Sequence, residues 1–287
     1  MARTLEPYQL VERSIITKYR KVLWNPFIEA VKRYEMIQPG DRIAVCISGG
    51  KDSMLLAKLM QQLQKHSDFP FELVFLVMDP GYNELNRRKI ESNAALLNIP
   101  VTIFESDIFE VADSAGKSPC YLCARMRRGY LYSRAQELGC SKIALGHHFN
   151  DVVETTLISM FYGSQLQAML PKLHSTNFEG MTLIRPLYCV HEDDIIAWAR
   201  DNSLEFIQCA CRLTERSAAD TGDVNVSKRK EIKLLLCRLR QGNPNIEKSI
   251  FNSIHAVALD TMPGFKTGGV EHSFLERFNA MESTEDE

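Results

Sequence analysis

From residue 8 to residue 35 apolar side chains recur at helical spacing, at Leu10, Ile15, Ile16, Tyr19, Val22, Leu23, Phe27, Ile28 and Val31, while Lys18, Arg20, Lys21, Lys32 and Arg33 take the outward positions. The spacing predicts a helical lead-in, interrupted near Pro26. Beyond the breaker Pro39-Gly40-Asp41, apolar runs of strand character follow at Ile43–Ile47, Phe71–Val77, Val101–Phe104, Ile143–Leu145 and Leu183–Ile184. Helical patterns separate them at Ser53–Lys65, Glu84–Leu97, Leu122–Leu138 and Asp151–Phe161. Strands alternating with helices long enough to cross over predict an α/β fold, a parallel sheet with helices on both faces. Glu192–Asp201 and Val226–Leu259 read as further helices. The expected organisation is an N-terminal helical segment at 1–38, the sheet domain at 39–207, a C-terminal helical portion at 208–278 and an acidic tail at 279–287.

Composition sharpens this in three ways. With 287 residues, 45% of them hydrophobic, the chain can bury a sizeable core. Charges recur through the first twenty positions and no run approaches the roughly 20 apolar residues of a membrane span, so a cytoplasmic protein without a membrane partner is expected. The formal net charge of −2 gives no global nucleic-acid signal, and the acidic "MESTEDE" end masks a slightly basic body, so any RNA site must be a local patch. Eight cysteines in such a chain read as free thiols, metal ligands or redox groups, and their spacing must decide.

The run "DRIAVCISGGKDSML" joins a strand to a helix through two glycines. Backbone N–H groups at a helix start point at an anion, and the helix dipole favours negative charge there. A Walker loop is excluded, because it needs glycine where this chain has Val45 and Ser or Thr where it has Asp52. All six positions from Ser48 through Gly49, Gly50, Lys51 and Asp52 to Ser53 fit instead the SGGxDS signature, and the stretch resembles that of the PP-loop ATP pyrophosphatases. That resemblance implies an adenine nucleotide alpha hydrolase-like fold and cleavage of ATP between its α and β phosphates. In an open α/β sheet, polar residues at other strand ends share the same rim. Asp79 follows "LVFLVM" and reads equally as a nucleotide contact or as an ordinary turn aspartate; Gly146, His147 and Asp151 in "GHHFND" form a second candidate nucleotide motif.

Cys120 and Cys123 stand two residues apart in "SPCYLCARMRRGYLY", and Cys209 and Cys211 lie downstream in "IQCACRLTERS". Thiolate pairs of this kind suit zinc or iron–sulfur clusters. Cys46, Cys140, Cys189 and Cys237 are isolated and read as packing residues. Together with "KIALGHHFNDVVETTLISMFYGSQLQAMLPKL" and "IRPLYCV", these segments occur in the order found in the tRNA 2-thiocytidine synthetase family, which the chain resembles from about Tyr19 to Met262. The resemblance implies ATP-dependent sulfur insertion at a pyrimidine C2 of tRNA, with Mg2+ and a [4Fe-4S] cluster held by three cysteines. Two would be Cys120 and Cys123. The family's later segment is typically CxxC with its second cysteine as ligand, whereas here the pair is one residue shorter, so Cys211 is the expected third ligand and Cys209 the rival. Lys51 and the glycine amides would hold pyrophosphate, and Asp52 would position magnesium or the loop. Partners so implied are tRNA and a sulfur donor, a cysteine desulfurase or free sulfide, with a homodimer left open. Arg125, Arg127, Arg128 and Arg134, the lead-in cations, and Lys228–Lys233 with Arg238 and Arg240 are the expected RNA-facing charges.

Two rivals remain at this level. An AMP-forming amine-transfer enzyme of the same fold would leave the cysteines without a task. A structural zinc site in an RNA-binding protein would use all four of Cys120, Cys123, Cys209 and Cys211, and would be colourless where a cluster protein is brown.

Overall fold

The computed structural model describes residues 5–106, 108, 119–207 and 228–285, and its lead-in is two helices, α1 (Pro7–Ile16) and α2 (Asn25–Arg33), joined through a π-helical turn at Arg20–Trp24. Val11, Ile15, Tyr19, Leu23 and Phe27 are all buried, a stripe with a step of four residues. Four exceeds the 3.6 residues of an α-turn, so the stripe would drift around a straight α-helix; the wider π turn takes up that drift. Pro26 does not break α2, because it occupies the first turn, where its missing N–H is not needed. The chain break that the sequence places near Pro26 falls earlier, around Thr17–Tyr19.

Six strands of the described residues form one sheet: β1 (Arg42–Ile47), β2 (Glu72–Asp79), β3 (Val101–Glu105), β4 (Lys142–Ala144), β5 (Lys172–His174) and β6 (Thr182–Ile184). Their order is β3-β2-β1-β4-β6-β5, parallel except for β5, which runs antiparallel to β6. β1 lies in the middle, with Val45 opposite Phe75 on one side and Ala144 on the other. Ile43 to Ile47 are buried along their whole run, which is why this strand reads as continuous apolar sequence. The crossovers are α3 (Lys51–His66), α4 (Glu84–Leu96), α5 (Pro119–Glu137) and α6 (Phe149–Gly163), followed after β6 by α7 (Glu192–Asp201). The parallel α/β fold expected from the sequence is thus present; β5, three residues long, is an addition to it.

Two buried contacts fix the frame around the later site. Tyr132 and Ala135 of α5 pack with Ala44, Cys46, Leu76, Ile143 and Leu183 of the sheet, and Tyr132 stacks on Phe178 at 5.0 Å. This seats the preceding turns of α5 over the strand ends. Lys58 of α3 is fully buried and donates to Glu12 Oε1, Gln61 Oε1 and the Leu97 carbonyl, each at 2.8 Å, tying α1 to α3.

The chain divides into two units, Met1–Lys233 and Leu234–Glu287. The sheet belongs to the first. A helix, α8 (Lys228–Gly242), runs across the boundary, and Asn243-Pro244-Asn245 ends it before α9 (Ile246–Ser253). Arg240 pairs with both oxygens of Glu247, at 2.8 and 2.7 Å. The C-terminal portion expected to be helical also holds a hairpin, β7 (Gly264–Thr267) and β8 (Val270–Ser273), before α10 (Phe274–Glu285). Its two-residue turn is Gly268-Gly269, both at positive φ, the geometry that right-twisted hairpins favour. Among the described residues no helix is long and apolar enough to cross a membrane.

Candidate functional site

β1 is followed across α3 by β2 on one side, while β4 pairs on its other side, so the strand order reverses between β1 and β4. Ligands of open α/β sheets bind beyond the strand ends at such a reversal. The two loops flanking it are Ser48–Gly50, after β1, and Leu145–His148, after β4.

The first loop has the glycine-turn geometry expected of an anion cradle. Gly49 has φ +85°, a conformation open to glycine, and Gly50 caps α3. Ser53 turns back into the loop: its Oγ accepts from Ser48 N at 3.2 Å and donates to the Gly50 carbonyl at 2.9 Å. Gly146 of the second loop comes so close that a Cβ there would lie 3.1 Å from Ser53 N and 3.2 Å from the Asp52 carbonyl carbon. Glycine at 146 is therefore demanded by backbone proximity.

Three helix starts converge here, those of α3, α6 and α7. Lys51, first in α3, lies 3.2 Å from the Asp52 carboxylate and 3.0 Å from Glu192 Oε1, first in α7. Burial opposes the charge on Lys51, yet Asp52 and Glu192 hold its pKa above the ordinary value. Burial would raise Glu192, but hydrogen bonds from Lys233 and Lys51 bring it down to about 2. On α6, Asp151 accepts from His148 N at 3.0 Å and from Arg229 Nη1 at 3.0 Å. Glu154 is buried against Lys233 and Arg229, 3.6 and 3.5 Å away, and burial pushes it up to about 7. His148 Nε2 sits 3.6 Å from Asp151 and 3.9 Å from both Asp52 and Glu192. The network crosses from the glycine loop to the start of α8.

Next to it opens a cavity of about 400 Å³ lined by Ser48, Asp52, Ser53, Gly146, His147 and Asp151, and roofed by Arg127, Arg128 and Leu131 of α5. His147 is held down to about 4 by burial, with Arg185 adding to the effect, so its ring is neutral near pH 7. Positions 120 and 123 fall in the first turns of α5, about two turns and one turn before Arg127 respectively. Arg127 also reaches Tyr82 Oη at 3.4 Å, whose hydroxyl lies 3.4 Å from the Ser48 carbonyl.

Of the residues singled out by sequence, Ser48 to Ser53, Gly146, His147 and Asp151 come together at this one rim. Asp79 stands at the end of β2 but spends both oxygens nearby: Oδ1 accepts from Gly81 N and Tyr82 N at 2.9 and 2.7 Å, and Oδ2 meets Arg87 at 3.0 Å. It organises the turn that carries Tyr82, the ordinary-turn alternative. Cys209 and Cys211 lie outside the described residues. Cys46, Cys140 and Cys189 are at least partly buried and their thiols are pushed up by desolvation, as packing residues are; Cys237 is exposed. Among the expected RNA-facing cations, Lys18 pairs with Asp201, Arg134 with Glu137, and Arg229 and Lys233 belong to the carboxylate network; Arg20 and Lys21 are exposed. Glu192 and Glu154 were missed by the sequence reading. An acid opening "HEDDII" looks like ordinary complement to a helix dipole.

Residues 17–214 match the PP-loop domain family. A tRNA-cytidine(32) 2-sulfurtransferase of Geobacter sulfurreducens is 37% identical over 240 residues, covering 83% of this chain and 90% of that protein. One of Alkalilimnicola ehrlichii is 38% identical over 234 residues, covering 79% of this chain and 70% of its own. In structure, the U34-tRNA thiolase NcsA from Methanococcus maripaludis, solved with its [4Fe-4S] cluster, superposes with a TM-score of 0.62 at 19% identity, over 84% of this chain and 80% of that one, a likeness of fold.

Proposed function

Because this chain belongs to the tRNA-cytidine(32) 2-sulfurtransferase family of PP-loop domain proteins, we propose that it is an AMP-forming tRNA sulfurtransferase that replaces the C2 oxygen of cytidine 32 by sulfur. One observation carries the reading: the helix bearing Cys120 and Cys123 lays Arg127 into the same cavity as Ser48, Asp52 and Gly146. Nucleotide loop and thiolate helix address one volume.

The chemistry accounts for that pairing. A pyrimidine carbonyl oxygen is a poor leaving group. The cytosine O2 therefore attacks the α phosphorus of ATP, the bond to the β-phosphate oxygen breaks, and pyrophosphate departs. A hydrosulfide then adds at C2, the C2–O bond breaks so that the oxygen leaves with AMP, and the sulfur gives up its proton to leave the thiocarbonyl. ATP fits the residues present: the Gly49 and Gly50 turn and Lys51 receive the terminal phosphates and the charge that develops as pyrophosphate leaves. Arg127 and Arg128 line the same cavity and would offset the negative charge of the departing AMP. Neutral His147 offers a hydrogen bond without adding charge. Asp52 would supply a carboxylate to Mg2+ bound with the nucleotide.

A [4Fe-4S] cluster held by Cys120, Cys123 and Cys211 would supply an iron without a protein ligand to present the sulfur. CxxC at a helix start beside Arg127 and Arg128 fits such a group, because both the dipole and the cations favour thiolates. The sulfur would come from a cysteine desulfurase or as free sulfide, in the cytoplasm, with a homodimer as the candidate assembly. Arg20 and Lys21 of the lead-in are among the exposed cations offered to tRNA phosphates, with Lys228, Lys230 and Arg238 of α8.

The test compares tRNA nucleosides from cells with and without this protein, and follows nucleotide products in vitro. 2-Thiocytidine should vanish in its absence, and AMP with pyrophosphate should form in step with thiolation. ADP and phosphate as the stoichiometric products, without AMP, would sink the assignment.

A further inference from the structure

The Lys51 ammonium is already engaged by residues that do not all line the cavity: Asp52 does, Glu192 does not. Glu192 Oε1 takes it at 3.0 Å, while the other oxygen of the same carboxylate accepts from Lys233 Nζ of α8, also at 3.0 Å. Glu192 is anchored at its backbone too, where its N–H donates to Asn150 Oδ1 on α6 at 2.9 Å. The other titratable groups facing it are His148, 3.9 Å away, and Glu154, which shares Lys233 at 3.6 Å. We propose that Glu192 is a positioning residue: it holds the aim of Lys51 and ties the glycine loop, through Lys233, to the helix that follows the downstream cysteine segment.

The physical case rests on what a lysine lacks. Its long side chain rotates freely, and fixing it at the moment of binding costs entropy. Two carboxylates fix it beforehand. The same pairing weakens the pull of Lys51 on phosphate, because Glu192 competes for the ammonium. Glu192 thus gives up ground-state affinity in favour of geometry, the side of the balance that speeds a reaction. Lys233 moderates the competition by occupying the second oxygen. Without Lys233, Glu192 would hold Lys51 harder.

This inference rests on the functional reading only for what Lys51 is aimed at, so binding and turnover are tested apart. Inorganic pyrophosphate affinity is measured by calorimetry, and thiolation kcat with saturating ATP, for the full chain and for E192Q, E192D, K233M and E192Q/K233M. E192Q should bind pyrophosphate as tightly as the native chain or up to about three-fold tighter, while kcat falls about ten-fold. E192D should recover part of kcat. K233M should lower pyrophosphate affinity about three-fold, and the same substitution in the E192Q background should have no effect. Weaker binding in E192Q, an unchanged kcat, or a K233M effect that persists without Glu192 overturns the proposal. Should E192Q not fold, E192D must still reduce the K233M effect, and an undiminished effect overturns it. A native chain that binds pyrophosphate but forms no AMP would refute the functional reading, and the binding cycle would still judge Glu192.

Discussion

Gly146→Ala offers the sharpest test of how the two loops at the strand reversal depend on each other. The φ of Gly146 lies outside the left-handed region, so alanine meets no backbone penalty there. The whole effect must come from the added methyl. It would lie 3.1, 3.2 and 3.3 Å from Ser53 N, the Asp52 carbonyl carbon and the Asp52 oxygen. Ordinary contact needs about 3.5–4.0 Å, so something must yield by on the order of 0.4 Å. The atoms met are backbone, part of the first turn of α3, and cannot rotate away. Overpacking of this kind costs about 1–3 kcal/mol. The displaced turn carries Lys51 and Asp52, and a shift of that size should lower kcat about ten-fold. Urea unfolding reads the first effect, and AMP formation with tRNA at saturating ATP the second. Gly129→Ala is the internal control: nothing lies within 4 Å of its Cβ position inside α5, so it should stabilise by about 0.5–1 kcal/mol. If Gly146→Ala kept native stability and native kcat, the close approach of the two loops would be refuted.

Glu12→Ala should destabilise by about 2–3 kcal/mol, because Lys58 is fully buried and would keep only two neutral acceptors; chemical denaturation showing a loss of less than about 0.5 kcal/mol would contradict the tie between α1 and α3. Glu154 keeps its proton up to about pH 7 when folded, against 4.5 for its ordinary value. Its contribution is full below about pH 4.5 and is lost as pH rises toward 7, by up to about 3 kcal/mol, and Glu154→Gln should flatten that slope; an equal slope in both chains argues against a buried proton. Serine substitutions reconstituted without oxygen should lose iron and visible absorption at Cys120, Cys123 and Cys211 and keep them at Cys209. The reverse outcome for the last two would exchange their roles, and stoichiometric zinc lost from all four would replace the cluster by a four-cysteine zinc site.

What could be read from the sequence was what neighbouring residues encode together. The strand–glycine–helix unit at Ile43–Lys65 is local, and so its loop and the helix after it were legible, whereas its place at the sheet centre is set by long-range pairing. β5 was not, because Lys172–His174 offers neither length nor alternation and exists by pairing with β6. The Gly268-Gly269 hairpin did carry a local signal, a glycine pair between short runs, that went unused. Glu192 could not be found locally, since its partners Lys51 and Lys233 come from distant helices. Asp79 shows the opposite case, a residue at the right strand end whose oxygens are already engaged, one by its own turn and one by Arg87 of α4.

The π turn at Arg20–Trp24 leaves the lead-in with a fixed residue count. Removing one position from this turn would restore ordinary winding, and every upstream side chain would then swing by about 100° around the helix axis. Val11 and Ile15 would leave their seats and Glu12 would turn away from Lys58, although no contact residue had been altered. Point substitutions on the exposed face of this stretch should be tolerated, whereas a single codon gained or lost should not. The segment depends on phase more than on identity, and an alignment of relatives that slips by one residue here would misplace the whole helix before it.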